Sequence, residues 1–270
     1  MNPKERYETV VGLEVHVQLH TRSKAFCGDD ASFGASPNTQ VSPISLGHPG
    51  TLPRLNARQV EYAVRLGLAL GCEINLRSRF DRKHYFYTDL PKGYQITQDA
   101  EPICQGGALP IRTPKGWKPV RIHHIHMEED AGKSIHDQDP QYSLIDLNRA
   151  GVPLLEVVTE PDLRSPEEVE AFMSAMRQLV RWLGISDGNM QEGSLRCDVN
   201  VSVRRRGTEA LGARCEVKNL NSMRFARKAI EYEVRRQIAL LEKGLRVEQT
   251  TLHFDPRTGR TSPLRDKEDA

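Results

Sequence analysis

Residues 7–19 read YETVVGLEVHVQL, an unbroken alternation. Tyr7, Thr9, Val11, Leu13, Val15, Val17 and Leu19 share one face. Gly12, Glu14, His16 and Gln18 share the other. A period of two with apolar residues on one side is the pattern of a half-buried strand. Glu14 and His16 then project together, ~6–7 Å apart at Cα. Their face is either solvated or part of a site.

Two further stretches repeat the pattern. In residues 195–204, Leu195, Cys197, Val199, Val201 and Val203 point inward, and Arg196, Asp198, Asn200, Ser202 and Arg204 outward. Around 214–218, Cys215 and Val217 point inward, while Arg214, Glu216 and Lys218 point outward. Residues 120–127 and 152–159 (VPLLEVVT) also read as strands, and 142–147 is short and β-prone. In VPLLEVVT, Glu156 shares a face with Leu154 and Val158. A carboxylate in so apolar a strand needs a partner, either a metal or a buried cation such as Arg149.

Three helices are expected. One begins at Asn56, with Gln59 at the reciprocal capping position, a buried stripe of Val60, Ala63, Val64, Gly67 and Leu68, and Gly71 beyond its end. The second opens at Ser165 with Pro166 and Glu168 in a capping box. It buries Val169, Phe172, Met173, Met176, Leu179, Val180 and Leu183, and stops at Gly184. The third runs from Ser222 through Phe225, Ala229, Ile230, Val234, Ile238 and Leu241 to Gly244. Residues 20–55, rich in Gly, Pro, Ser and Asn, read as loop. Residues 80–98 are a loop or edge strand that either binds a ligand or forms a tyrosine-rich packing corner. Residues 246–270 are polar and expected to pack poorly. Strands and helices do not alternate regularly, so the fold class is α+β with a mixed, mainly antiparallel sheet.

The chemistry concentrates in HMEEDAGKS, residues 126–134. Glu128, Glu129 and Asp130 repel one another unless a cation is near. The ending Gly-Lys-Ser is not a phosphate-binding P-loop, because Met127 stands where the first glycine is required. The stretch is an acidic surface turn or one wall of a metal site. If the strands bring Glu14, His16, Asp198 and Glu216 to the same concavity as Glu128, Glu129 and Glu156, the donors suit Mg²⁺ or Mn²⁺ rather than Zn²⁺. Such ions commonly serve phosphoryl chemistry.

Composition bounds the rest. The 270 residues are 38% hydrophobic and 27% charged, enough for a sizeable core. Lys and Arg number 38 against 36 Asp and Glu, so net charge makes no case for nucleic acid, although Arg204, Arg205 and Arg206 form a local patch. No apolar run suits a membrane span. The start MNPKERYE lacks a signal-peptide core, and five scattered cysteines form no disulfide framework. A cytoplasmic protein is expected.

Taken together, GLEVHVQL (Gly12–Leu19), FDRKHYFYTDLPKGYQITQ (Phe80–Gln98), HMEEDAGKS, SLIDLNRAGVPLLEVVTEPD (Ser143–Asp162), EGSLRCDVN (Glu192–Asn200) and EVKNLNS (Glu216–Ser222) resemble the B-subunit family of tRNA-dependent amidotransferases. The resemblance spans most of the chain and implies a cradle-shaped catalytic domain akin to glutamine synthetase and the guanido kinases. It implies ATP, Mg²⁺ and a kinase step on the side-chain carboxylate of mischarged Glu-tRNA(Gln) or Asp-tRNA(Asn). Ammonia would arrive from an amidase A subunit, and a small C subunit would tie the two larger ones together. By the resemblance Glu14, Asp198 and Glu216 hold one metal, and His16, Glu129 and Glu156 hold or border another, with Glu128 beside them. Lys83 and Lys92 lie by Glu129, which would act as base on ammonium. Arg149, Tyr94, Gln95, Arg196 and Lys218 are the expected cofactor contacts.

Two departures from the family stand out. Some members carry a zinc knot after the first strand, whereas the corresponding positions here are Cys27, Asp29, Ser42 and Ser45, so no zinc is expected. The loop would then be held by packing through Phe26, Phe33 and the prolines. Members also continue into helical and tail domains that grip tRNA. Here the expected layout is a cradle over 1–245 and a polar segment over 246–270 leading toward domains absent from the chain. The competing functions are a non-catalytic tRNA-binding scaffold and a metal-dependent phosphodiesterase.

Overall fold

The computed structural model describes residues 3–136, 138–220 and 222–266. Its strands in chain order are β1 (Tyr7–Gln18), β2 (Glu73–Ile74), β3 (Asp81–His84), β4 (Tyr94–Thr97), β5 (Cys104–Gln105), β6 (Ala108–Thr113), β7 (Gly116–Glu129), β8 (Lys133–Ile135), β9 (Leu144–Asp146), β10 (Pro153–Thr159), β11 (Leu195–Arg205), β12 (Cys215–Leu220), β13 (Thr250–Asp255) and β14 (Arg260–Asp266). The helices are α1 (Pro3–Arg6), α2 (Ala57–Ala69), α3 (Pro166–Trp182) and α4 (Met223–Glu242).

One sheet dominates, in the order β14-β13-β12-β11-β1-β10-β7-β5-β2, with β6 also paired to β7. Among the described residues its pairings are antiparallel except β12 with β13, which α4 connects. The class is α+β with a mainly antiparallel sheet, as the irregular succession of elements implied. Residues 80–98 resolve into a β3–β4 hairpin outside the main sheet.

The expected alternation sorts the residues. Val11, Leu13, Val15 and Val17 of β1 join Leu155 and Val157, Cys197, Val199 and Val201, and Cys215 and Val217 in one apolar layer. Helices α2, α3 and α4 cover that layer, through residues such as Leu66, Phe172 and Ile230. The other face is left for polar side chains.

Helix α3 forms as read, although its box is modified. Ser165 Oγ accepts from Glu168 N, but the Glu168 carboxylate reaches past Ser165 to accept from Arg164 N at 2.7 Å. Helix α2 departs further. Asn56 caps it by accepting from Arg58 N, but Gln59 does not complete a capping box. Gln59 is fully buried, and its Nε2 donates to the carbonyls of Glu128 and Leu154 at 2.8 and 3.2 Å. Leu68, expected in the stripe, is exposed, while Leu66 is buried. Gly67 faces β5 so closely that a Cβ there would lie 2.5 Å from Cys104 Sγ.

Residues 250–266 correct the expectation of poor packing for 246–270, of which 267–270 lie outside the described residues. β13 and β14 extend the sheet and bury Leu252 and Phe254. A polar contact secures them: Thr261 donates to the buried carboxylate of Glu233 on α4, which also pairs with Arg236. Phe254→Ala should therefore cost about 3–5 kcal/mol. Urea denaturation of the purified variant measures it, and a loss below ~1 kcal/mol would show that the last two strands contribute little to stability.

Candidate active site

The polar face is built by register. His16 on β1 stands opposite Arg196 on β11 and Glu156 on β10, and Glu156 stands opposite His126 on β7. One row therefore runs Arg196–His16–Glu156–His126 across four strands. The adjacent row places Asp198 opposite Glu14. Glu216 on β12 faces Asn200, which faces Gly12.

Two clusters result, each with donor atoms within 4.8 Å of one another: Glu14, Asp198 and Glu216 in the first, and His16, Glu128 and Glu156 in the second. In the first, Lys218 Nζ lies 3.1 Å from Asp198 Oδ2 and 2.6 Å from Glu216 Oε1. Asn200 Nδ2 donates to Glu14 Oε1 at 2.9 Å, and Thr251 Oγ1 donates to Glu216 Oε2 at 3.2 Å. Burial, reinforced by the negative charge of Glu156 and Glu216, pushes the Glu14 carboxyl above its ordinary pKa. One ammonium against three carboxylates leaves net negative charge, and hard oxygen donors fit a divalent cation such as Mg²⁺ or Mn²⁺.

In the second cluster, His16 Nε2 lies 3.5 Å from Glu156 and 3.8 Å from Glu128. His126 Nε2 lies 3.2 and 3.4 Å from the same two carboxylates. Burial acts to lower the His16 pKa, but Glu156 and Glu128 outweigh it and lift it to about 9. The same balance lifts His126 to about 10. Glu156 is held well below the usual carboxylate range, because His16 and His126 overcome the cost of its burial. Its partners are these imidazoles rather than Arg149.

Glu129 takes a different position. It is joined to Lys92, and its Oε1 accepts from Ile96 N at 3.0 Å. Burial outweighs the nearby ammonium and raises its pKa. A pocket beside this pair is lined by Phe26, Cys27, Ser45, Thr51, Tyr94 and Gly151. Gln95 Nε2 donates to the Glu129 carbonyl at 2.7 Å. The Lys92 ammonium lies 5.4 Å from the centre of the Tyr94 ring. Lys83 is exposed on β3, opposite Gln95, and the ammonium paired with Glu129 is that of Lys92. Geometry thus groups Glu128, not Glu129, with His16 and Glu156.

Arg149 donates to the carbonyls of Ala131 and Gly132 at 2.8 and 2.7 Å. Its guanidinium also lies 3.7 Å from Asp130, to which Arg196 donates at 3.0 Å. Asp130 and His126 belong to the motif at 126–134, but the motif alone assigns neither of them a role. Period-two counting back from Glu128 identifies His126, whereas Thr251 lies on a distant strand and nothing in the local sequence marks it. In the loop after β1, Ser45 Oγ donates to Asp29 Oδ2 at 2.6 Å and accepts from Ser42 N at 2.9 Å. With Cys27 also in hydrogen-bond contact with Asp29, the four zinc-knot positions meet in this polar clasp. Phe26 packs on Phe80, while Phe33, expected to hold the loop, is exposed.

The elements that build both clusters fall within the match to a family model described as the GatB/GatE catalytic domain, over residues 9–270. The chain belongs to this family. It is 57% identical over 268 residues to the B subunit of aspartyl/glutamyl-tRNA(Asn/Gln) amidotransferase from Anaeromyxobacter sp. (strain Fw109-5), covering 99% of this chain and 56% of the relative. The protein of that name from Salinibacter ruber is 58% identical over 275 residues, covering 98% and 54%. That from Myxococcus xanthus is 55% identical over 268 residues, covering 99% and 56%. The chain spans about half the length of these curated relatives.

Asp130 anchors Arg196, a member of the row that includes His16 and Glu156. Burial opposes its charge, but Arg196 and Arg149 hold its pKa under the ordinary 3.8. A depressed carboxyl contributes stability in full above its unfolded pKa and loses it as pH falls through the folded one. Asp130→Asn should cost about 3–5 kcal/mol at pH 7, because two guanidiniums lose their buried counter-charge. Denaturation from pH 7 to pH 2 should show the gap between variant and parent narrowing below about pH 4. A gap that stays constant with pH would exclude the ion-pair account.

Proposed function

We propose that this chain is the catalytic part of the B subunit of an ATP-dependent amidotransferase that works on mischarged aminoacyl-tRNA. The substrates are Glu-tRNA(Gln), Asp-tRNA(Asn) or both. The γ-phosphoryl of ATP passes to a side-chain carboxylate oxygen, giving an acyl phosphate and ADP. Ammonia then attacks the acyl carbon and phosphate departs. Without that step the leaving group would be oxide.

The observation that carries the reading is the pair of adjacent cation-fitting clusters on one polar face in a chain of this family. Phosphoryl transfer needs positioning and charge more than covalent help. Mg²⁺ or Mn²⁺ held by Glu14, Asp198 and Glu216, and by His16, Glu128 and Glu156, would supply charge for the phosphoryl oxygens. Lys218 and Arg196, already beside Asp198 and Asp130, offer cationic donors at the same face. Glu129 has the raised pKa and the ammonium partner Lys92 that suit it to take a proton from ammonium. An amidase A subunit would supply the ammonia by glutamine hydrolysis, a small C subunit would join the assembly, and the setting is cytoplasmic. In this reading the clasp of Asp29, Ser42 and Ser45 replaces zinc. Stoichiometric zinc that survives dialysis and is lost in Cys27→Ser would contradict that part.

The test is ADP formation by the full-length protein, assembled with its partners, on adding mischarged tRNA. A scaffold would make no ADP, and a phosphodiesterase would cleave RNA without ATP. Asp198→Asn should lower tRNA-dependent ADP release by about 100-fold or more, in line with removal of a transition-state charge contact. Glutamine hydrolysis, carried by another chain, should persist. A folded Asp198→Asn protein that phosphorylates at the parent rate would remove Asp198 from the site.

A further inference from the structure

Asn200 borders the first cluster, bonded to Glu14 and in register with Glu216. On β11 it is two residues from Asp198, so both side chains project to the polar face. Glu216 stands directly opposite on β12, and Gly12, which has no side chain, stands opposite on β1. Its Nδ2 is committed to Glu14 Oε1 at 2.9 Å. Its Oδ1 is buried and has no hydrogen-bond donor among the described residues. A buried carbonyl oxygen without a donor is uncommon and calls for a partner. The donors in the cluster are engaged elsewhere, Lys218 Nζ with Asp198 and Glu216 and Thr251 Oγ1 with Glu216, and its carboxylates accept and cannot donate when ionised. A hard divalent cation satisfies such an oxygen, and asparagine carbonyls are ordinary ligands for one.

We propose that Asn200 is a fourth ligand of the Glu14–Asp198–Glu216 site, its Oδ1 bound to the divalent cation while its Nδ2 orients Glu14. The assignment rests on the cation reading given above and adds a residue to it. Asn200 thereby sets the charge of the site. Three carboxylates and one neutral oxygen bind a divalent ion less tightly than four carboxylates would. The amide also fixes Glu14 so that one of its oxygens remains for the ion.

The experiment counts Mn²⁺ bound to the full-length protein by electron paramagnetic resonance, without ATP or tRNA. The parent should bind two ions. Asn200→Ala should weaken one of them about tenfold or more and leave the other, at His16, Glu128 and Glu156, unchanged. The retained ion doubles as proof that the variant is folded. Asn200→Asp restores an oxygen ligand and adds charge, so it should bind the affected ion at least as tightly as the parent. If the parent binds no Mn²⁺, the cation reading of the whole face fails. If the parent binds two and Asn200→Ala does so with unchanged affinity, the Asn200 assignment alone is overturned. If Ala and Asp weaken the ion equally, Asn200 serves only as donor to Glu14, and its role as ligand is excluded.

Discussion

Repulsion among desolvated carboxylates is the constraint that the rest of the structure answers. Glu14, Asp198, Glu216, Glu128 and Glu156 stand on one face of one sheet, and water alone does not separate them. Left free, such side chains would turn apart or take up protons. They stay together because their backbones are fixed from the other side. Val11 to Val17 of β1, and the matching residues of β10, β11 and β12, are sealed beneath three helices. A one-residue slip in any of these strands would exchange the acids for valines. Core burial therefore supplies both stability and the positions of the charges. The imidazoles of His16 and His126, the ammonium of Lys218 and the guanidinium of Arg196 offset part of what remains.

Much of this is legible because a strand has a simple period. Counting by twos through β1 and β11 places Glu14, His16 and Asp198 on a common face before any pairing is known. The same count through β7 puts His126 and Glu128 together and sends Glu129 the other way. The family resemblance alone groups Glu129 with His16 and Glu156; the strand's own pleat separates them. Partners set by long-range pairing have no such signal. Thr251 reaches Glu216 only because α4 carries the chain back to lay β13 parallel to β12. Gln59 reads as a capping residue because the local pattern at Asn56 is that of a helix start. Its actual partners are sheet carbonyls 69 and 95 residues away.

The segment after α4 illustrates a different limit. Its low apolar content suggests poor packing, yet burial of Thr251, Leu252 and Phe254 is enough to seat β13 in the sheet. The rest of the hold is polar, through Thr251 to Glu216 and Thr261 to Glu233. A hydroxyl meeting a buried carboxylate leaves no trace in hydropathy. The clasp of Ser45 on Asp29 is similar, since serines in a polar loop read as solvent-exposed until their partner is known.

The pleat at the end of β7 also divides the chemistry. Glu128 belongs to the cation-fitting face, while Glu129, one residue on, enters the pocket of Phe26, Cys27 and Tyr94 with Lys92. On the function proposed here, the electrophile would be prepared on one side of this strand and the nucleophile deprotonated on the other. Two carboxylates joined by a single peptide cannot move far relative to each other. That rigidity gives the proposed reaction a physical reason to keep its two half-steps in register. It also explains why three consecutive acids are tolerated at 128–130: each has its own counter-charge, from His16 and His126, from Lys92, and from Arg149 with Arg196.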